Sequence, residues 1–224
     1  MIRRPPRSTQ GVSSAASDVY KRQVVNSSIK HLSWLEFSKN MEITRQFIRI
    51  CVIIFGILVL SSYVYGLSKA EDKMVLWGGI PHSWIKFIVP WMLIAALGWL
   101  IYWWTILYSV DASVIDQLRW PWQDSADGKG ANRLFLAYCV FMIPSMLWLE
   151  STLFHINNDY SWTPFLVIGV LTLASIGNIL YGLLAYSAYQ DGLEGANMML
   201  LGSVMLSIQC IILDGIVWNV KFPW

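Results

Sequence analysis

The sequence predicts an all-α membrane protein, a bundle of five transmembrane helices, and three observations carry that prediction. Five segments each hold the roughly 17 to 25 apolar residues that a helix needs to cross a hydrocarbon core. Charged residues make up 13% of the 224-residue chain against 56% hydrophobic, and they gather in short stretches between those segments. Backbone N–H and C=O groups cannot stay open in lipid, so helix is the state such segments take.

The first 23 residues, "MIRRPPRSTQGVSSAASDVYKRQ", are rich in Arg and Ser with one acid, Asp18, the composition of a transit peptide. Two prolines break the amphipathic helix which that reading needs. The string looks instead like translated sequencing-adapter read-through and is set apart as non-native, with Met41 or an upstream residue as the expected start. Residues 24–46 form a flank in which "HLSWLEFSKN", His31 to Asn40, reads as a short interfacial helix. The bundle follows over 47–224. Its expected spans are Phe47–Leu67, Trp84–Tyr108, Leu134–Phe154, Pro164–Tyr186 and Ala196–Trp218. The loops between them, Ser68–Ser83, Ser109–Arg133, His155–Thr163 and Ser187–Gly195, leave no room for a soluble domain.

Lys and Arg near the span ends set the expected orientation. Lys30, Lys39, Arg45, Arg49, Arg119, Lys129 and Arg133 lie on one side, against Lys69, Lys73, Lys86 and Lys221 on the other. That imbalance places the N-terminus inside and the C-terminus outside. A net charge of +2 without a basic patch excludes nucleic acid as a partner. Cys51, Cys139 and Cys210 fall inside apolar spans at unrelated spacings and read as small packing residues. His31, His82 and His155 are scattered, so neither nucleophilic catalysis nor bis-histidine haem ligation has a constellation, and no glycine-rich phosphate loop or internal repeat is present. An enzyme is not expected, nor is an obligatory cofactor.

The second span, "PHSWIKFIVPWMLIAALGWLIYWW", carries five tryptophans. At about 100° per residue Trp84, Trp91, Trp99 and Trp103 fall within a sector of roughly 120°, over a length of about 30 Å, while Trp104 points away. Two readings stand. Trp84 and Trp103/Trp104 can be the interfacial belts, with Trp91 and Trp99 as packing. Alternatively the aromatic face lines a cavity for a flat, apolar ligand, since indole gives large contact area at low entropy cost.

Polar residues at membrane depth form faces. Ser203, Ser207, Cys210, Asp214 and Trp218 recur at steps of three or four on the fifth span, with Asp214 as the face's one charge. A carboxylate there is costly toward lipid, so Asp214 is expected to point into the bundle or sit near the boundary. Thr172, Ser175, Asn178, Gly182 and Tyr186 form a stripe suited to close helix packing. Tyr138, Phe141, Ser145, Trp148, Thr152 and His155 share a face of the third span, with Pro144 as a kink. Glu150 lies off that face, as a carboxylate reaching for the interface.

These residues resemble the TspO/MBR family of tryptophan-rich sensory or translocator proteins. "WGGIPHSWIKFIVPW" supplies Trp77, Pro81, Trp84, Phe87, Pro90 and Trp91 in the order of the family's Trp-x-Pro-Pro-x-Trp-x-Phe-x-Pro-x-Trp, with small shifts in spacing and His82 where a second proline stands. "PSMLWLESTLFH" offers Trp148 and Phe154 without the family's Asn, and "LDGIVWNV" places Asp214 and Trp218 at the Asn and Trp positions of the fifth helix. The Ser109–Arg133 loop is longer than the family's connection, and the C-terminal segment lacks the Tyr of a sterol-type motif. The resemblance implies a pocket between helices, roofed by the Ser68–Ser83 loop, that binds porphyrins or other rigid hydrophobic ligands. Trp77, Trp84, Trp91, Trp148, Asp214 and Trp218 would line it, indole stacking on the tetrapyrrole and Asp214 anchoring its polar edge. Expected partners are the lipid bilayer, a hydrophobic small-molecule ligand and, as an option, a second copy in a homodimer. Two other functions fit the same residues: a small proton- or ion-coupled transporter or channel using Asp214, or a structural subunit of a membrane complex.

Overall fold

The computed structural model of the chain describes residues 43–158 and 160–224; the adapter-like segment and the expected interfacial helix lie outside them. Five helices are long and apolar enough to cross a membrane. Helix α1 is Arg45–Lys69 and α2 is His82–Trp104, which continues into a π-helical turn, Thr105–Ser109. A short helix α3, Ala112–Gln117, precedes α4, Gly130–Asn158, and α5, Thr163–Gln190. The last span begins as α6, Ala196–Ser207, and runs on through a π-helical stretch, Ile208–Trp218. The expected spans are all present, each extended by a few residues. A 3₁₀ turn, Lys73–Trp77, occupies the first loop.

Local chemistry fixes the ends. The Thr44 hydroxyl accepts from the Phe47 amide at 3.2 Å and caps α1, while Lys69 complements the carbonyls of its last turn. Pro164 sits in the first turn of α5, where its missing N–H costs nothing. Asp111 accepts from the Ser113 amide at 2.9 Å and starts α3.

Helix order around the bundle differs from order in the chain. Helix α4 packs most extensively on α5, α5 on α6 and α6 on α2, while α1 docks on α4. The ring therefore reads α1, α4, α5, α6, α2, with a sparse seam between α1 and α2. At the α2–α6 crossing two glycines meet: a Cβ on Gly98 would lie 2.7 Å from the Gly202 carbonyl oxygen, and one on Gly202 would lie 2.5 Å from that of Gly98. Only glycine lets the backbones approach this closely.

The α4 face that the sequence marks is the packed one. Tyr138, Phe141, Ser145, Thr152 and His155 are buried, and Trp148 is half-buried. Phe55 of α1 stacks on Tyr138 at 5.7 Å, and the Tyr138 hydroxyl donates to the Cys51 carbonyl at 3.1 Å. On α5, Asn178 accepts from the Ser207 hydroxyl at 2.6 Å and the Ser175 hydroxyl donates to the Cys210 carbonyl at 2.9 Å, tying α5 to the last span. Thr172 and Tyr186 of the same stripe are exposed. Apolar side chains elsewhere face outward, α1 above all with Ile50, Ile54, Leu58 and Val64, as contact with a bilayer requires.

Candidate functional site

A cavity of about 860 Å³ opens along the α1–α2 seam, at the end of the bundle where α1 begins. Val52, Ile53, Gly56, Ile57 and Leu60 of α1 form one wall. Trp99, Trp103, Trp104 and Tyr108 of α2 and its π turn form the other, and Gly195 and Met198 close the α6 side. Among its lining residues Glu194, exposed on the rim, is the one that carries charge.

The cavity is kept open by what stands behind it. Trp103 packs edge-on to Tyr138 at 4.9 Å and to Tyr181 at 5.6 Å, and Tyr102 lies 5.3 Å from Tyr181. These four residues are almost fully buried and make a stiff aromatic core. Trp99, tilted against Trp103 at 6.5 Å, reaches the seam, where its Cη2 would be 3.7 Å from a Cβ on Gly56. A larger residue in place of Gly56 would extend into the space. The indole N–H of Trp99 is buried without an acceptor.

The rim carries the fixed charges. Arg45 donates to the Val110 carbonyl at 2.7 Å, and Arg49 donates to the Leu107 carbonyl at 2.9 Å, its guanidinium 4.7 Å from the centre of the Tyr108 ring. Loop groups at the same end are paired with one another. Arg119 forms a two-pronged ion pair with Asp191 at 2.6 and 2.7 Å, which holds its guanidinium firmly protonated. Arg133 meets Asp127 at 2.6 Å and also donates to the Leu118 carbonyl at 2.9 Å. The Arg133 guanidinium, helped by the Lys129 amide, holds the Asp127 carboxyl down to about 2. The Ser113 amide likewise lowers Asp111 from the ordinary carboxylate range. These contacts fold the long loop after α2 onto the ends of α4 and α5.

The six residues marked from the sequence lie toward the opposite end, and none of them lines this cavity. Trp77, Trp148 and Trp218 come together in one apolar cluster with Ile80, Ile88 and Phe222. Trp218 is buried, stands edge-on to Trp148 at 5.9 Å, packs on Phe222 at 4.5 Å and donates its indole N–H to the Leu76 carbonyl at 2.9 Å. Trp224 and His155 complete the stack, with ring centres 5.6 Å apart. Trp84 is 44% exposed, and the Lys221 ammonium lies 5.8 Å from its ring. Trp91 is half-buried with its indole N–H lacking an acceptor. Asp214 is half-buried on the π-helical stretch and accepts from the Gln209 amide at 2.8 Å. Glu150 is half-buried too, one of its carboxylate oxygens having no partner.

Of the tryptophan face, Trp99 and Trp103 are cavity residues, but Gly56, Arg45 and Arg49 carry no site motif. Their signal is one of spacing alone: one of the two glycines of the first span, and two arginines one helical turn apart at its entrance. No family model, curated protein or solved structure matches the chain.

Proposed function

We propose that the chain is an integral membrane protein, N-terminus inside, that binds a rigid hydrophobic ligand in the α1–α2 cavity against Trp99, which Trp103 backs. A tetrapyrrole such as a porphyrin is the ligand to test first. The observation that carries this reading is the cavity itself: about 860 Å³, almost wholly apolar, with a preformed aromatic wall. That volume lies within the range of sites that enclose a small organic molecule. A flat ligand gains stacking on the half-buried Trp99 without ordering a flexible wall, because Trp103 behind it is already fixed by Tyr138 and Tyr181. The motif resemblance to the TspO/MBR family supports the same ligand class, with the difference that the wall proposed here is Trp99 and Trp103 rather than the Trp77–Trp148–Trp218 cluster.

Titration of the purified chain with protoporphyrin, followed by tryptophan emission, tests the proposal. Saturable quenching near one to one is expected, weakened by Trp99→Phe and unchanged by Trp162→Phe, which alters an exposed indole outside the cavity. Linear quenching without saturation, or equal loss in the two variants, would sink it.

A further inference from the structure

Arg45 and Arg49 stand one turn apart at the start of the first span, beside the mouth of the cavity. Both reach over the seam to the carbonyls that close α2: Arg45 Nη2 to Val110 at 2.7 Å and Arg49 Nε to Leu107 at 2.9 Å. Leu107, Tyr108 and Val110 also line the cavity, so the two cations and the apolar cleft share a wall. A guanidinium has five N–H donors, and these bonds leave part of each fork unused. Arg45 Nε is buried with no acceptor.

Among the described residues no carboxylate lies within ion-pair distance of either arginine, although the field of Asp111 reaches Arg45. Asp111 Oδ1 accepts from the Ser113 amide. Glu194 is on the cavity rim and makes no ion pair with either arginine. Arg119 and Arg133, by contrast, each hold an aspartate. Guanidinium forks match phosphate oxygens in geometry and charge, and a cleft of this kind accepts a hydrocarbon chain.

We infer that the cavity takes an acyl chain of an anionic glycerophospholipid whose phosphate is held by Arg45 and Arg49. This rests on reading the α1–α2 cavity as a binding site and adds the chemistry at its mouth. A basic residue near the surface of an anionic leaflet contributes about a fivefold gain in binding. Phosphatidylglycerol is therefore expected to bind more tightly than phosphatidylcholine, whose choline offsets its phosphate.

The test is native mass spectrometry of the full chain in nonionic detergent, titrated with phosphatidylglycerol, phosphatidylcholine and glycerophosphate. Preference for phosphatidylglycerol is expected, falling about fivefold in each of Arg45→Gln and Arg49→Gln. No binding of glycerophosphate is expected, which separates a lipid from free phosphate. Because the arginines also hold two carbonyls, Gly56→Leu serves as a second variant. It fills the cleft without touching either arginine, and should lower occupancy by both lipids while keeping their ratio. Equal retention of the two lipids by the unaltered chain overturns the inference, as does a preference that survives both arginine changes. Headgroup preference with non-saturable protoporphyrin quenching would remove the rigid ligand and keep the lipid site; the reverse pair of results would do the opposite.

Discussion

The two ends of the bundle use tryptophan in opposite ways. At the C-terminal end Trp218 and Trp224 are stacked with Phe222, and both indole N–H groups are satisfied, by the Leu76 carbonyl at 2.9 Å and the Asn219 carbonyl at 2.8 Å. At the Arg45 end Trp99 stands beside open space with its N–H buried and unpartnered. A satisfied, close-packed indole is what stability selects, whereas an unsatisfied one beside a cavity is a donor held in reserve. Indole content alone therefore does not mark a site, nor does an unpaired N–H, which Trp91 and the packed Trp103 share; the open space beside Trp99 does.

Three changes break or sharpen this contrast. Trp218→Ala removes the centre of the packed end and orphans the Leu76 carbonyl. It should cost about 3–5 kcal/mol in detergent unfolding, while the fraction that stays folded still binds protoporphyrin. Trp99→Phe should show the converse, with stability changed by about 1 kcal/mol or less and the protoporphyrin Kd raised about fivefold. If Trp218→Ala abolishes binding in the folded fraction, or Trp99→Phe unfolds the chain, the two ends are not distinct. The smallest effect lies in the loop. Asp127 is held down to about 2 by Arg133, below its unfolded value near 4. Its contribution is present above pH 4 and lost as pH falls from about 4 to about 2. Asp127→Asn should flatten the acid limb of a thermal-melting profile over that window and leave protoporphyrin binding at neutral pH unchanged.

Much of the fold was legible before the structure. Length and hydropathy place five spans because the bilayer imposes both, and the ends fall within a few residues of their caps. On α4 the run from Tyr138 to His155 shows its packed face, since polar and aromatic residues there alternate with plain aliphatics. The seam was not legible. Both lipid and bundle interior favour apolar side chains, so Ile53 and Ile57 of α1 read the same whether they face lipid or a cavity. Along the last span the winding turns π-helical over Ile208–Trp218, yet the face read from the sequence keeps its side: Ser203 and Trp218 are buried, Ser207, Cys210 and Asp214 are half-buried, and Ile212 and Ile216 are exposed. The motifs around Trp77, Trp148 and Trp218 pointed to residues that do converge, in a packed cluster, while the cavity opened where no motif stood.

The order of helices around the ring bears on how the protein is made. Helix α1 leaves its chain neighbour α2 and docks on α4, through contacts such as Tyr138 to Cys51 that link residues 87 apart. During synthesis α1 and α2 therefore reach the membrane with no full-length surface for α1 until α4 has emerged.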